Sequence, residues 1–381
     1  MELNEVRKRI DVIDDQLVAL LEERIEIARD VAKAKIDMGK AVYDPARERA
    51  KLLDVSSKVP EEHKDQIISL FSLIMSMNKA EQQKLVSANA GTGHALAAHK
   101  AYLPIDHPFP STATVACQGV EGAYSQIAAS KLFKVPGISF FESFDGVFRA
   151  VRDGFCEYGV LPIENSTAGS VNAVYDLLAA YKFSIVRSLR LKIDHNLLAK
   201  PGTDIADVRE VFSHEQAISQ CAGYLDRLGV KATVCENTAM AAKLVHESPR
   251  TDVAALSSRS CAALYGLDVL DEDVQDNKNN YTRFVVISAK PQIFPGATRT
   301  SLMLTTSNDP GSLYRVLEHI YALGINLVKL ESRPIPGRDS EFIFYFDLDC
   351  PVGSTSLDLL LDSLDSVCER FTYFGSYTEV L

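Results

Sequence analysis

No stretch of the sequence is apolar for long enough to span a bilayer, and the chain opens on acidic Glu2 and Glu5 rather than on a signal peptide. The seven cysteines, Cys117, Cys156, Cys221, Cys235, Cys261, Cys350 and Cys368, include no C-x-x-C pair. A scattered, odd set reads as reduced core thiols, without disulfides or zinc. Positive charge is in deficit: the net charge is −11 and the pI near 5.3, which argues against nucleic-acid or anionic-membrane partners. No dinucleotide G-x-G-x-x-G and no Walker loop is present, so no cofactor is implied. These absences predict a cytoplasmic protein acting without metal. At 381 residues the chain is too long for one typical domain and suits two to four.

What is present begins with Leu3 to Lys35. Val6, Ile10, Ile13, Leu17, Leu20, Ile27 and Val31 recur at the period of one helix face, with no Gly or Pro between them. Arg24 lies ~20° from Leu17 and Val31 around that helix, and Lys35 ~20° from Arg24. Cations on a face that should be dry need an anion there. Arg7 lies ~25 Å from Arg24 along the same rod, so one small ligand reaches both only if Arg7 comes from a partner chain. Taken alone, the helix also fits a coiled-coil arm. Asp44-Pro45 supplies an N-cap and an N1 proline for a second helix carrying Arg47, Glu48 and Arg49. A third helix follows Pro60, and its stripe Ile67, Phe71, Ile74 runs on through Asn78 and Gln82.

This pattern of Arg7, Arg24, Lys35, Asp44, Arg47, Glu48 and Gln82 resembles the all-helical chorismate mutase family, whose dimers are intertwined. The resemblance implies the pericyclic conversion of chorismate to prephenate, which needs no nucleophile and no proton transfer. Arg7 of the partner, Arg24 and Arg47 would clamp two carboxylates. Lys35 and Gln82 would donate to the breaking ether oxygen, and Asp44 and Glu48 would hold the ring hydroxyl. Asn78, also placed in that site, departs from the family's small hydroxyl residue.

From Ser87 to about Thr112 a stretch rich in Ala, Gly, His and Pro reads as a linker, with one short helix at His94 to Tyr102. Beyond it, strands and helices alternate as in an α/β domain. Strand Ala113 to Cys117 feeds Gly119-Val-Glu-Gly122-Ala-Tyr124-Ser125, a glycine turn that offers backbone N–H groups to an anion. Three more polar clusters follow: Pro162-Ile-Glu164-Asn165-Ser166-Thr167, Ser213-His214-Glu215-Gln216, and Asn279-Asn280-Tyr281-Thr282-Arg283-Phe284. Together they resemble the prephenate dehydratase family, a two-lobed fold like a periplasmic binding protein. The lobes would be 112–187 with 274–290, and an insert, 188–273. The resemblance implies a cleft holding prephenate among Tyr124, Ser125, Asn165, Ser166, Thr167, His214, Gln216, Asn280, Arg283 and Phe284. Thr282 would be the donor at the departing hydroxyl, Arg283 would compensate charge and Phe284 would line a dry wall.

From about Ala297 the order β-α-β-β-α-β repeats: strand Ser301 to Thr305, helix Leu313 to Leu323, a strand from Gly324 to Pro334, a hairpin at Pro336-Gly337, strand Glu341 to Asp347, helix Ser356 to Val367 and strand Thr372 to Thr378. Phe342, Phe344 and Phe346 mark one buried face. With Glu331-Ser332-Arg333-Pro334, this resembles an ACT-type regulatory domain. The implied effector is phenylalanine, held between two chains by Asp309, Gly311, Ser312, Leu313, Asn326, Glu331 and Ser332. Ser312 stands where the family has alanine.

The expected architecture is a multi-domain chain: an all-α mutase domain (1–86), a linker (87–111), an α/β dehydratase domain (112–296) and an α+β ACT domain (297–381). The expected function is a bifunctional chorismate mutase and prephenate dehydratase sensing phenylalanine, as a homodimer or higher homo-oligomer. A non-catalytic amino-acid sensor and a dehydratase with a decayed mutase arm are the competing readings. A fusion to a prephenate dehydrogenase would need the nucleotide loop the chain lacks.

Overall fold

The computed structural model describes residues 3–40, 44–89, 102–309, 311–335, 341–364 and 367–381. The chain divides into two compact units, Met1–Ala101 with Leu302–Tyr373, and Tyr102–Ser301 with Phe374–Leu381. The expected helix at His94 to Tyr102 falls almost wholly outside the described residues, as does the hairpin at Pro336-Gly337.

In the first unit, helix Leu3–Asp37 runs unbroken and stops where Gly39 takes φ +63°, the left-handed end that glycine allows. Helix Pro45–Ser56 starts on Asp44, whose carboxylate accepts from Arg47 N at 3.0 Å. A short turn, Glu61–His63, leads into helix Lys64–Asn89. The first and second helices both pack on the third. The packed face of the first helix is not the expected apolar stripe. Ala28 and Ala32 are buried, flanked by half-buried Leu21, Arg24, Ile25, Lys35 and Ile36. Ile10, Ile13, Leu17, Leu20 and Ile27 remain between 48 and 62 % exposed. Alanine lets two helix backbones approach closely, so the small residues take the intrachain contact and the large ones are left uncovered.

The same unit holds helix Ser312–Ala322, strand Asn326–Pro334, strand Phe342–Asp349 and helix Thr355–Leu364, between strands Arg299–Thr305 and Arg370–Val380. This is the expected strand and helix order. Asn326–Pro334 is the edge strand, antiparallel to Phe342–Asp349. Phe344 and Phe346 are buried, but Phe342, at the strand's start opposite Pro334, is 41 % exposed. Both helices contact helix Lys64–Asn89.

Besides a two-stranded pairing of Leu103–Pro104 with Gln292–Ile293, the second unit has two larger sheets among the described residues. In the first, Ser184–Lys192, Tyr281–Ser288, Tyr158–Asn165, Thr112–Gln118 and Val135–Phe141 lie in that order, and the end of Arg370–Val380 pairs in parallel beside Ser184–Lys192. The second sheet orders Asp268–Asp271, Asn196–Ala199, Val253–Ser257, Glu210–His214 and Lys231–Cys235. The insert therefore begins after Lys192 rather than at 188, because Ser188 pairs with Val285 and is fully buried in the first sheet. Where the chain crosses between sheets, Ile193 N bonds Asn280 O at 2.8 Å and Val274 N bonds His195 O at 2.9 Å. The polar motifs collect beside this crossing.

Candidate active sites

Asn165 ends one central strand of the second unit and stands opposite Thr282 on the next. Its Oδ1 accepts from Thr167 N at 3.0 Å and Ala168 N at 2.9 Å, which fixes the amide's direction. Its Nδ2 must then donate, and it does so to Asn280 Oδ1 and Thr282 Oγ1, each at 2.9 Å. Asn280 in turn donates to Gln220 Oε1 at 2.9 Å, and His195 Nε2 meets the same oxygen at 3.0 Å. Since that oxygen can only accept, the His195 proton sits on Nε2. Two backbone N–H groups thus set the hydrogen-bond polarity of five side chains. Asn165, Asn280, Thr282 and His195 are all buried. Because Thr282 Oγ1 accepts from Asn165, its own hydrogen is left to donate elsewhere.

The remaining motif residues surround this core. Ser166 Oγ donates to Asn279 O at 3.0 Å and accepts from Tyr281 N at 2.9 Å, locking the two motif loops together. Tyr124 donates its hydroxyl to Asp194 O at 2.6 Å, and burial pushes its pKa well up, so it stays a phenol. Ser125 is buried at the start of the same helix. The glycine turn before it is less open to an anion than expected, since Gly122 N is taken by Gln126 Oε1 at 2.6 Å. His214 caps helix Glu215–Gln220, its Nδ1 accepting from Gln216 N at 3.2 Å, with Gln216 half-buried beside it. Arg283 is bound to Glu164 at 3.1 Å, so its charge already has a protein partner. Phe284 is not on a cleft wall: at 2 % exposure it packs in the core with Val186, Leu189 and Val286. The strand alternates, and the residue two beyond Thr282 falls inside the sheet's covered face.

His195 and Gln220 were not among the expected residues. Asp194-His195-Asn196, a polar run between apolar Ile193 and Leu197, was the signal available. Burial lowers the His195 pKa, keeping it neutral, and its Nδ1 is buried without a hydrogen bond.

In the helical unit, Asn78 and Gln82 are buried as expected, and Gln82 Oε1 has no hydrogen-bond partner. Arg24, Lys35 and Glu48 are half-buried. Burial lowers the Lys35 pKa and Lys79 lowers it further, against the opposing pull of Asp44 and Glu48. Glu48 is bound by Lys79 at 3.0 Å. Arg7, Asp44 and Arg47 are exposed in the single chain, so two of the three arginines of the expected clamp are open to solvent. Arg24 Nε is buried without a hydrogen bond.

In the C-terminal region, Asp309, Gly311, Ser312 and Leu313 line a cavity of about 360 Å³ with Tyr314 and Phe344. Gly311 takes φ +82°, the turn that opens the helix. Ser312 is turned inward, its hydroxyl 3.0 Å from Ser307 Oγ and accepting from Arg315 at 2.9 Å. Asn326, Glu331 and Ser332 lie along the edge strand and do not line that cavity. Asn326 and Ser332 are exposed, and Glu331 pairs with Lys329 at 3.1 Å.

Comparison with known proteins agrees with this division. The family described as chorismate mutase type II matches residues 6–83, and the family described as prephenate dehydratase matches residues 115–292. The bifunctional chorismate mutase/prephenate dehydratase of Escherichia coli strain K12 is 32 % identical, over 98 % of this chain and 95 % of its own. Among solved structures, prephenate dehydratase from Arthrobacter aurescens in complex with L-Phe is similar, with TM-score 0.64 and 28 % identity over 70 % of this chain and 89 % of that one. The quorum quenching acylase GqqA shares the fold equally well, with TM-score 0.64 and 33 % identity over 69 % of this chain and 97 % of its own. A fold alone does not name a chemistry; here both family matches and a nearly full-length relative do. This chain belongs to the bifunctional chorismate mutase/prephenate dehydratase family and carries both enzyme activities.

Proposed function

We propose that Thr282 is the hydrogen-bond donor at the departing ring hydroxyl of prephenate. The carrying observation is the Asn165 Nδ2 bond to Thr282 Oγ1 at 2.9 Å, which leaves the threonine hydrogen available to donate to another oxygen. As the carboxylate leaves as carbon dioxide, its bonding pair moves into the ring and the ring C–O bond breaks. A donor at that oxygen stabilises the charge it gathers. A threonine hydroxyl is too weak an acid to act alone, so Thr282 serves as donor or relay. Ser166, Thr167, Tyr124, Ser125, Gln216 and Asn280 shape the cleft around it.

In the helical unit, Arg24, Arg47 and the partner's Arg7 clamp the two carboxylates of chorismate, Lys35 and Gln82 meet the ether oxygen, and Asp44 and Glu48 hold the ring hydroxyl. The uncovered stripe Ile10, Ile13, Leu17, Leu20 and Ile27 supports a homodimer built on the first helix. Residues 297–381 form an ACT-type regulatory domain that binds phenylalanine at the Asp309 to Leu313 cavity. A second copy brings Asn326, Glu331 and Ser332 to close it. Among the described residues no helix is long and apolar enough to cross a membrane, and we place the enzyme in the cytoplasm. The test is one assay: chorismate disappearance and phenylpyruvate appearance followed together with no cofactor added. Prephenate accumulating from chorismate without phenylpyruvate would remove the dehydratase assignment; conversion of prephenate but not of chorismate would remove the mutase one.

A further inference from the structure

Lys79 lies on the third helix, bound to Glu48 and near Glu318. On one side it binds Glu48 Oε1 at 3.0 Å and Oε2 at 3.2 Å, with both side chains largely covered. On the other side helix Ser312–Ala322 of the C-terminal region packs against helix Lys64–Asn89. It lays Glu318 and His319 on the face that carries Ser76 and Lys79, three residues apart and so adjacent on one side of the helix. Glu318 is buried near Ser76 and Lys79, and its Oε1 has no hydrogen bond. A buried carboxylate is costly unless a cation stands near it, and Lys79 is the cation near this one. No chorismate-binding pattern in the sequence includes Lys79, Glu318 or His319.

We propose that Lys79 is a positioning residue of the mutase site, holding Glu48 in its substrate-facing place, and that Glu318 from the C-terminal helix holds Lys79. The C-terminal domain is then part of the mutase machinery. The helix that carries Glu318 begins at Ser312, on the cavity assigned to the effector, roughly 10 Å away along its axis. Three groups face Lys35 from the elements packed around it: Asp44 ahead of the second helix, Glu48 on it, and Lys79 on the third. Lys79 is the one that disfavours the charged lysine. Burial and Lys79 together hold His319 down at about 4, so it is neutral at pH 7 and adds no charge to the group.

The inference rests on the assignment of Glu48 and Lys35 to the chorismate site, and the experiment separates the two. Mutase kcat and KM are measured across pH on the full chain for Lys79→Met, Lys79→Arg, Glu318→Gln, Glu48→Gln and Lys35→Ala, with dehydratase activity as the folding control. Lys79→Met is expected to raise KM for chorismate about tenfold and to move the basic limb of the pH profile upward, since Lys35 then keeps its proton to higher pH. Lys79→Arg restores most of the loss. Glu318→Gln fills the same volume, so a packing role predicts no change; the proposal predicts a several-fold rise in KM, because Lys79 then loses the negative charge near it. If Glu48→Gln and Lys35→Ala lose activity while Lys79→Met keeps wild-type KM and an unmoved limb, the Lys79 inference is wrong. Full mutase activity in Glu48→Gln and Lys35→Ala would instead overturn the site assignment beneath it.

Discussion

At the scale of single residues, function here depends on which way a hydrogen bond points. Asn165 accepts two backbone N–H groups on one side and donates to Thr282 on the other. Asn165→Asp keeps the accepting oxygen and the shape but turns the donor into an acceptor. Thr282 then spends its hydrogen on the aspartate, and dehydratase kcat should fall ~10²-fold with mutase turnover unchanged. Phenylpyruvate formation from added prephenate measures it; an Asn165→Asp enzyme of near-normal kcat would rule out the polarity argument. In the proposed mutase site Lys35 is the corresponding residue. Its pKa lies below the ordinary lysine value, with burial the largest cause. The protonated form is the donor, so activity is full below that lowered pKa and is lost as pH rises through it, earlier than for an exposed lysine. Lys35→Ala should cost ~10²-fold or more in chorismate turnover at every pH where wild type is active, with dehydratase intact.

At the scale of elements, two contacts carry the argument. Helix Leu3–Asp37 uses its alanines within the chain and leaves its large apolar residues outward, while Arg7 and Arg24 are too far apart to serve one ligand in one chain. Arg7→Ala and Arg24→Ala proteins should each lack mutase activity, and mixed heterodimers should regain it, because one of the two shared sites keeps both arginines. Verified heterodimers that stay inactive would place Arg7 outside the site. Strand Arg370–Val380 depends on Gly375, at φ +128°, where an added Cβ would come to 2.5 Å from Ile185 O. Both the backbone angle and the space forbid a side chain. Gly375→Ala should therefore lower the thermal midpoint by several degrees, equivalent to about 1–3 kcal/mol. Differential scanning calorimetry would show it, and an unchanged midpoint would mean the strand shifts freely.

At the scale of the whole molecule, one polypeptide carries a mutase site in the helices, a dehydratase site in the two-lobed domain, and a cavity at Asp309 to Leu313. Phenylalanine can inhibit only by preferring a less active arrangement. Ser312→Trp fills the cavity that Ser312 now lines and should abolish inhibition while leaving uninhibited dehydratase turnover near wild type. Titration calorimetry paired with rate measurements across phenylalanine concentrations checks both halves. Inhibition that persists in Ser312→Trp would move the effector site elsewhere.

Much of this was legible in the linear chain, and for a definite reason. The polar runs at Glu164 to Thr167 and Asn280 to Phe284 are contiguous, and each sits at a strand end whose local chemistry exposes it. The helix caps at Asp44 and Gly39 are likewise written within a few residues. Periodicity alone was less reliable. It pointed to the large apolar stripe of the first helix, whereas close approach of the third selected Ala28 and Ala32. The family resemblance, for its part, put Phe284 at a dry wall, whereas the sheet's covered face takes it into the core. The contacts that only the tertiary structure decided join residues far apart in the chain. His195 and Gln220 meet Asn280 because the insert leaves and re-enters the first sheet at one crossing. Glu318 reaches Ser76 because the C-terminal helix returns to the third helix of the mutase arm. Neither partner carries a local signal of the other; where the chain comes back is settled by packing, and packing is a property of the folded chain.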